Sequence, residues 1–155
     1  NKLNHKYKNT KLILIGWEEN LDPISATAKK IINFKKSIIN LGYKKDVRPF
    51  LLASNCLVLP SYREGFPNVV LQAGSMNIPS IVSNINGCNE IIQNNFNGLY
   101  IKPKNSQSLY LAMEKILINK HLYKSLVKRT RKNIVKNFRQ DIIHNKILSL
   151  YSELN

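Results

Sequence analysis

The sequence is poor in the residues that build disulfides, metal cages and membrane spans. Its two cysteines, Cys56 and Cys88, cannot form the framework that staples small secreted domains, and they suit a reducing cytosol. The three histidines, His5, His121 and His144, lack metal-ligand spacing and read as surface residues, so no metal is expected. No apolar run approaches the roughly 20 residues that a membrane helix needs, and no signal-peptide pattern is visible. The chain has no initiator Met and opens on polar sequence, so it reads as a piece of a longer cytoplasmic protein. Acidic residues are also scarce, 9 against 24 Lys and Arg, for a net charge of +15. The excess admits two readings. One is a surface for nucleic acid or anionic lipid; the other is a general bias toward Lys, Asn and Ile.

The 155 residues, 43% of them apolar, suffice for one domain with a real core. Five short apolar runs read as strands: Leu12–Ile15, Ile38–Leu41, Cys56–Leu59, Ser80–Ser83 and Leu99–Ile101. The first and third read as buried. Helical patterns lie between and after them. Asp22-Pro23 is a start signal for a helix reaching about Lys36, and Asp46 for a short one over 47–54. Asn105 caps another, and two helices follow from about His121 and Gln140, the last with Ile143, Ile147, Leu150, Tyr151 and Leu154 on one stripe. Strands alternating with helices predict an α/β fold, a Rossmann-like, doubly wound parallel sheet in three α/β/α layers. The whole chain 1–155 reads as one domain, with residues 120–155 as terminal helices packed on it.

One stretch organises this pattern, Pro60-Ser61-Tyr62-Arg63-Glu64-Gly65-Phe66-Pro67-Asn68-Val69-Val70-Leu71-Gln72-Ala73. It reads as strand end, tight loop and helix, with Pro67 at the first helical position. A helix N-terminus opening on such a loop suits a phosphate. Glu64 and Gln72 are eight residues apart, roughly 12 Å if most of the span is helical. That distance fits two polar groups gripping the ends of a sugar–diphosphate–ribose ligand. Read singly, Glu64 is equally a solvated loop residue and Gln72 an exposed helix residue. A second strand–loop–helix, Asn84-Ile85-Asn86-Gly87-Cys88-Asn89-Glu90 after Ser80–Ser83, would face the same crevice at the strand ends. Cys88 reads as a loop residue and Glu90 as a first-turn helix residue rather than a ligand contact.

The two stretches resemble the glycosyltransferases of family 4, also called group 1, whose motif is Glu-x7-Glu. The resemblance covers about 11–155 and is most specific over 56–98. It implies the C-terminal, donor-binding half of a GT-B fold and a retaining, metal-independent enzyme. Such an enzyme moves a hexosyl unit from a nucleotide diphosphate sugar, in this branch a UDP-hexose, to a glycan or lipid-linked acceptor during capsule or O-antigen assembly. By that resemblance Glu64 orients the donor sugar, and the Gly65 and Phe66 N–H groups, with Pro67 and Asn68, face sugar and phosphate. Gln72 then holds the ribose, Asn86 and Gly87 complete the second loop, and Gly42 and Tyr43 lie beside the base. Tyr43 read by itself is a surface tyrosine after a turn.

This chain departs from the family pattern at three places. Gln72 stands where Glu is usual, keeping an acceptor but losing the charge. Asn84 replaces Asp, and Asn86 replaces the first glycine of a pair. The Gly-Arg and Lys that grip the diphosphate in the family have no match before Leu12, and the N-terminal GT-B half is not in this sequence, so the chain alone is expected to be inactive.

Lys120, Lys124, Lys128, Lys132 and Lys136 form an i, i+4 column. Four like-charge pairs cost roughly 1–2 kcal/mol in isolation, a cost that an anionic membrane surface would offset. The alternative is a solvated face of biased composition. Two rival functions remain, a non-catalytic nucleotide-binding module and a basic nucleic-acid-binding domain. The second lacks aromatics interleaved with the basic column, so nucleic acid is not expected as a partner.

Overall fold

A computed structural model describes residues 2–18 and 23–153. The chain divides into two compact units, Asn1–Phe50 and Leu51–Asn155. All five expected strands form, and they pair in parallel within two separate sheets of two and three strands.

The first unit contains α1 (Lys2–Lys6), β1 (Leu12–Leu14), α2 (Ala26–Phe34) and β2 (Ile38–Asn40); α3 (Arg48–Leu52) spans the boundary. Strands β1 and β2 pair with Leu12 opposite Ile38 and Leu14 opposite Asn40. Helix α2 packs on β2. It begins at Ala26 rather than Pro23, because Ser25 is the cap: its hydroxyl accepts the Ala28 N–H at 3.2 Å. Asp22, the expected cap, lies outside the described residues. Asp46 does cap α3, accepting the Arg48 N–H at 3.0 Å and the Arg48 guanidinium at 2.8 Å. The guanidinium holds the Asp46 carboxyl down at about 2. Strand β1 was expected to be buried, but Leu12 is 38% exposed. No residue of either strand is fully buried, since apolar patterning marks a strand without ensuring that a layer covers it.

The second unit contains β3 (Leu57–Leu59), α4 (Asn68–Ser75), β4 (Ser80–Ser83), α5 (Cys88–Ile91), β5 (Gly98–Ile101), α6 (Ser106–Ile118), α7 (Lys120–Phe138) and α8 (Gln140–Glu153). Strand β4 is the middle of β3-β4-β5 and is buried throughout. Strand β3, expected to be buried, is only half-buried at each position, while β5 at the other edge of the same sheet is mostly buried; apolar patterning again marks a strand without ensuring that a layer covers it.

Successive side chains of a strand point to opposite faces, and two cores form accordingly. Val82 joins Val70, Cys88, Ile91, Ile92 and Ile134. Its neighbour Ile81 joins Leu99, Ile101, Ala112, Ile116 and Leu126. Helices therefore cover both faces, the Rossmann-like arrangement expected from the sequence. Helix α7 closes both cores, with Leu126 in one and Ile134 in the other, about 12 Å apart along its axis.

Buried polar groups lock this unit. The Asn97 side chain accepts the Gln93 N–H at 2.6 Å and donates to the Ile91 carbonyl at 3.0 Å. Thr130 of α7 donates to the Asn97 carbonyl at 3.1 Å, and Asn133 donates to the Ile91 carbonyl at 3.2 Å. Satisfied bonds of this kind contribute about 0.5–1.5 kcal/mol each, and here they fix α7 against the loop between α5 and β5. Asn105 caps α6 as expected, accepting the Ser108 N–H at 2.7 Å. Asn119 does the same for α7, accepting the Leu122 N–H at 2.9 Å. Helix α8 has no buried residue, and Leu154 of its expected stripe lies outside the described residues.

Candidate functional site

In the second unit the loops after β3 and β4 leave the carboxyl ends of neighbouring parallel strands, where open α/β sheets bind ligands. They touch at two glycines. Gly87 has φ +80°, and a Cβ there would lie 2.1 Å from the Gly65 carbonyl oxygen and 3.3 Å from that of Glu64. Only glycine accepts both the left-handed backbone and the approach. Gly87 is therefore the place where the Glu64 loop rests on the second loop.

Glu64 is half-buried in that junction. Cys88, the next residue after Gly87, is fully buried at the start of α5, not in the loop where the sequence suggested it. Burial pushes its thiol up to about 11, and the Glu64 carboxylate adds to the shift. The charge of Glu64 thus reaches the first turn of α5. Burial likewise raises Cys56 to about 12. Glu90 is a first-turn residue of α5, as expected, and its carboxylate accepts the Gly87 N–H at 3.2 Å. It supports the glycine from behind.

Phe66 is 43% exposed, and its ring lies 5.8 Å from Phe138 at the end of α7. Pro67 is buried and is the N-cap of α4, at φ −76° and ψ 98°, one position before the expected one. It gives α4 no side-chain cap, so the first N–H groups of the helix, at Asn68 and Val69, remain available to a ligand. Asn68 and Gln72 are exposed on α4, about 6 Å apart along the axis. Only the second half of the Glu64–Gln72 span is helical, so a 12 Å helical separation does not apply. Asn86 is exposed beside Gly87.

The structure thus brings Glu64, Gly65 and Gly87 together and starts α4 immediately beyond. The sequence did not point to Cys88 as their buried footing, or to Phe138 as the support of Phe66. The i+1 position of Cys88 after a loop glycine was the available signal for the first. No local signal marks the second, because 72 residues separate the rings.

Gly42 and Tyr43 belong to the first unit. Gly42 has φ +62°, and its carbonyl accepts the Gly16 N–H at 3.0 Å. This bond joins the turns that follow β1 and β2. Trp17 and Tyr43, the residues after those glycines, stack with centroids 4.7 Å apart and planes 22° apart. They are 75% and 58% exposed. Tyr43 is therefore half of an aromatic pair rather than a solitary surface ring. Among the described residues no group of three His, Cys, Asp or Glu side chains could hold a metal ion, and no helix is long and apolar enough to cross a membrane.

The profile of the family "Glycosyl transferases group 1" matches residues 1–133. The chain belongs to this family. A UDP-Gal:alpha-D-GlcNAc-diphosphoundecaprenol alpha-1,3-galactosyltransferase of Escherichia coli is 32% identical over 97% of the chain and 39% of its own length. The capsular polysaccharide biosynthesis glycosyltransferase CapM of Staphylococcus aureus is 24% identical over 93% of the chain. The chain spans about two fifths of each relative, 39% and 38%. Among solved structures, Anabaena Alr3699/HepE in complex with UDP superposes with a TM-score of 0.84 at 18% identity, over 93% of this chain and 41% of that one. That likeness establishes the fold.

Proposed function

We propose that this chain is the donor-binding part of a retaining glycosyltransferase. The enzyme transfers a hexosyl unit from a UDP-sugar to a lipid-linked acceptor in surface polysaccharide assembly, at the cytoplasmic face of the membrane. Glu64 orients the donor sugar. The Gly65 and Phe66 backbone and the uncapped start of α4 at Asn68 meet the diphosphate, which leaves with the nucleotide. Hydrogen-bond donors fixed at that position stabilise the charge developing on the leaving group. Gln72, about a turn further along α4, reaches the ribose, and Asn86 and Gly87 form the opposite wall. The family resemblance assigns the base to Gly42 and Tyr43 of the first unit. The UDP named in the galactosyltransferase relative and in the HepE complex supports the choice of nucleotide. The diphosphoundecaprenol of that relative supports the acceptor class.

The observation that carries this reading is the contact of Gly65 with Gly87, which holds a half-buried carboxylate beside an uncapped helix N-terminus. The test uses the intact enzyme. Glu64→Gln keeps the shape and removes the charge, so kcat/KM falls by about a hundredfold or more while UDP affinity changes little, because UDP has no sugar. Gln72→Ala does the reverse, weakening UDP by about 0.5–1.5 kcal/mol, and Gln72→Glu preserves or strengthens it. If both Glu64→Gln and Gln72→Ala leave donor binding and turnover unchanged, the donor does not lie along α4.

A further inference from the structure

The lysine column of α7 plays no part in the donor site. Each step of four residues rotates about 40° around a helix of 3.6 residues per turn, so Lys120 and Lys136 point roughly 160° apart. No flat surface meets all five at once. The buried side of α7 is marked by Leu126, Thr130, Asn133 and Ile134. Opposite it, Lys128 points most directly outward, with Lys124 and Lys132 about 40° to either side. All three are exposed. They share a shallow recess with His121, Ser125 and Arg129.

The basic residues of α7 divide into two groups. The arginines are engaged within the fold: Arg129 lies 5.0 Å over the Phe96 ring, and Arg131 donates to the Ser75 carbonyl at the end of α4. The three outward lysines enter no ion pair among the described residues, and α7 contains no acidic residue. The like-charge repulsion within this arc has no internal counterweight.

We propose that the outward arc of Lys124, Lys128 and Lys132 is an electrostatic docking face for an anionic bilayer. An arc of exposed ammonium groups suits a sheet of lipid phosphates, since lysine acts as a point charge without the directional fork of arginine. Tyr123 and Phe138 of α7 pack toward the cores, so His121 is the one ring beside the arc, too few to stack successive bases. Val135, 42% exposed, is its only apolar member, so the face adsorbs without inserting. The column also leads to the site. Lys132 and Lys124 precede Phe138, the partner of Phe66, by about 9 and 21 Å along the axis. Docking along α7 would seat on the bilayer the same helix whose end, at Phe138, supports Phe66 of the Glu64 loop. This part rests on the proposed lipid-linked acceptor.

The test is co-sedimentation with phosphatidylcholine vesicles with and without phosphatidylglycerol. The protein is compared with a Lys124→Gln, Lys128→Gln, Lys132→Gln variant and with a control, Lys30→Gln, Lys45→Gln, Lys146→Gln, that removes the same charge from other exposed positions. At about 1 kcal/mol per lysine near an anionic surface, the α7 variant loses roughly a hundredfold in partitioning, and the control loses far less. Equal losses in the two variants overturn the proposal in favour of overall charge. A duplex oligonucleotide that binds the protein more tightly than the vesicles, with that binding lost in the α7 variant, overturns it in favour of nucleic acid. UDP binding is followed in parallel by ligand-observed NMR. Its absence from the unaltered protein overturns the donor-binding reading, while a selective vesicle defect still supports the lysine face.

Discussion

At the scale of single residues, Gly87 decides the geometry of the site. Its neighbourhood has room for a hydrogen and nothing larger, with the Gly65 carbonyl 2.1 Å from where a Cβ would sit. The obstacle is backbone, which cannot rotate aside as a flexible side chain could. Gly87→Ala therefore strains a left-handed backbone at about 1 kcal/mol or more and also pushes the Glu64 loop away. The expected outcome is a loss of roughly 1–3 kcal/mol of stability, read from denaturant midpoints, with a larger fall in UDP-sugar turnover by the intact enzyme than in far-ultraviolet circular dichroism. Unchanged turnover would mean that the loop contact has no part in the site. The sequence identified Gly87 through its place between a strand and a helix. It did not show what the glycine touches, because Gly65 lies 22 residues earlier and meets it only when β3 and β4 pair.

At the scale of elements, α4 and α7 form the joint behind the site. Gly74 lets them approach: a Cβ there would meet Ile134 Cγ1 at 2.5 Å and Ile134 Cδ1 at 3.0 Å. Helix propensity alone favours alanine over glycine by about 1 kcal/mol. Overpacking a closed core costs about 1–3 kcal/mol, and the second effect wins because Ile134 is itself held in the core. Gly74→Ala is therefore expected to lower the thermal midpoint, and Gly74→Ala with Ile134→Val to recover part of the loss. Recovery in the double variant separates a steric clash from a change in helix propensity. The apolar spacing of Val69, Val70, Ala73 and Met76 predicts the helix, and the structure buries Val70 and Ala73 of that set. That α7 covers this face could not be read locally, since the two helices are some sixty residues apart in the chain.

At the scale of the whole molecule, the chain spans about two fifths of its relatives. Its donor loop is one wall of the proposed cleft. The 155 residues alone are accordingly expected to transfer no sugar, as measured by release of UDP from UDP-hexoses in the presence of polyprenyl-diphosphate acceptors. Measurable transfer by this chain alone would mean that the reaction needs no second wall. Helix α8 carries Ile147, Leu150 and Tyr151, 48%, 64% and 64% exposed. These are positions of the apolar stripe expected from the sequence, and the structure leaves them uncovered by the described residues.

The sequence by itself determined the strands, the Asp46 and Asn105 caps, the parallel α/β class and the Glu64 and Gly87 stretches, because local periodicity, capping chemistry and turn residues carry that information along the chain. The tertiary structure decided which strands share a sheet, which face of β4 enters which core, that Cys88 lies beneath Glu64, and which three lysines of the column point outward. Those features arise from contacts between residues far apart in sequence, fixed by packing rather than by any local pattern.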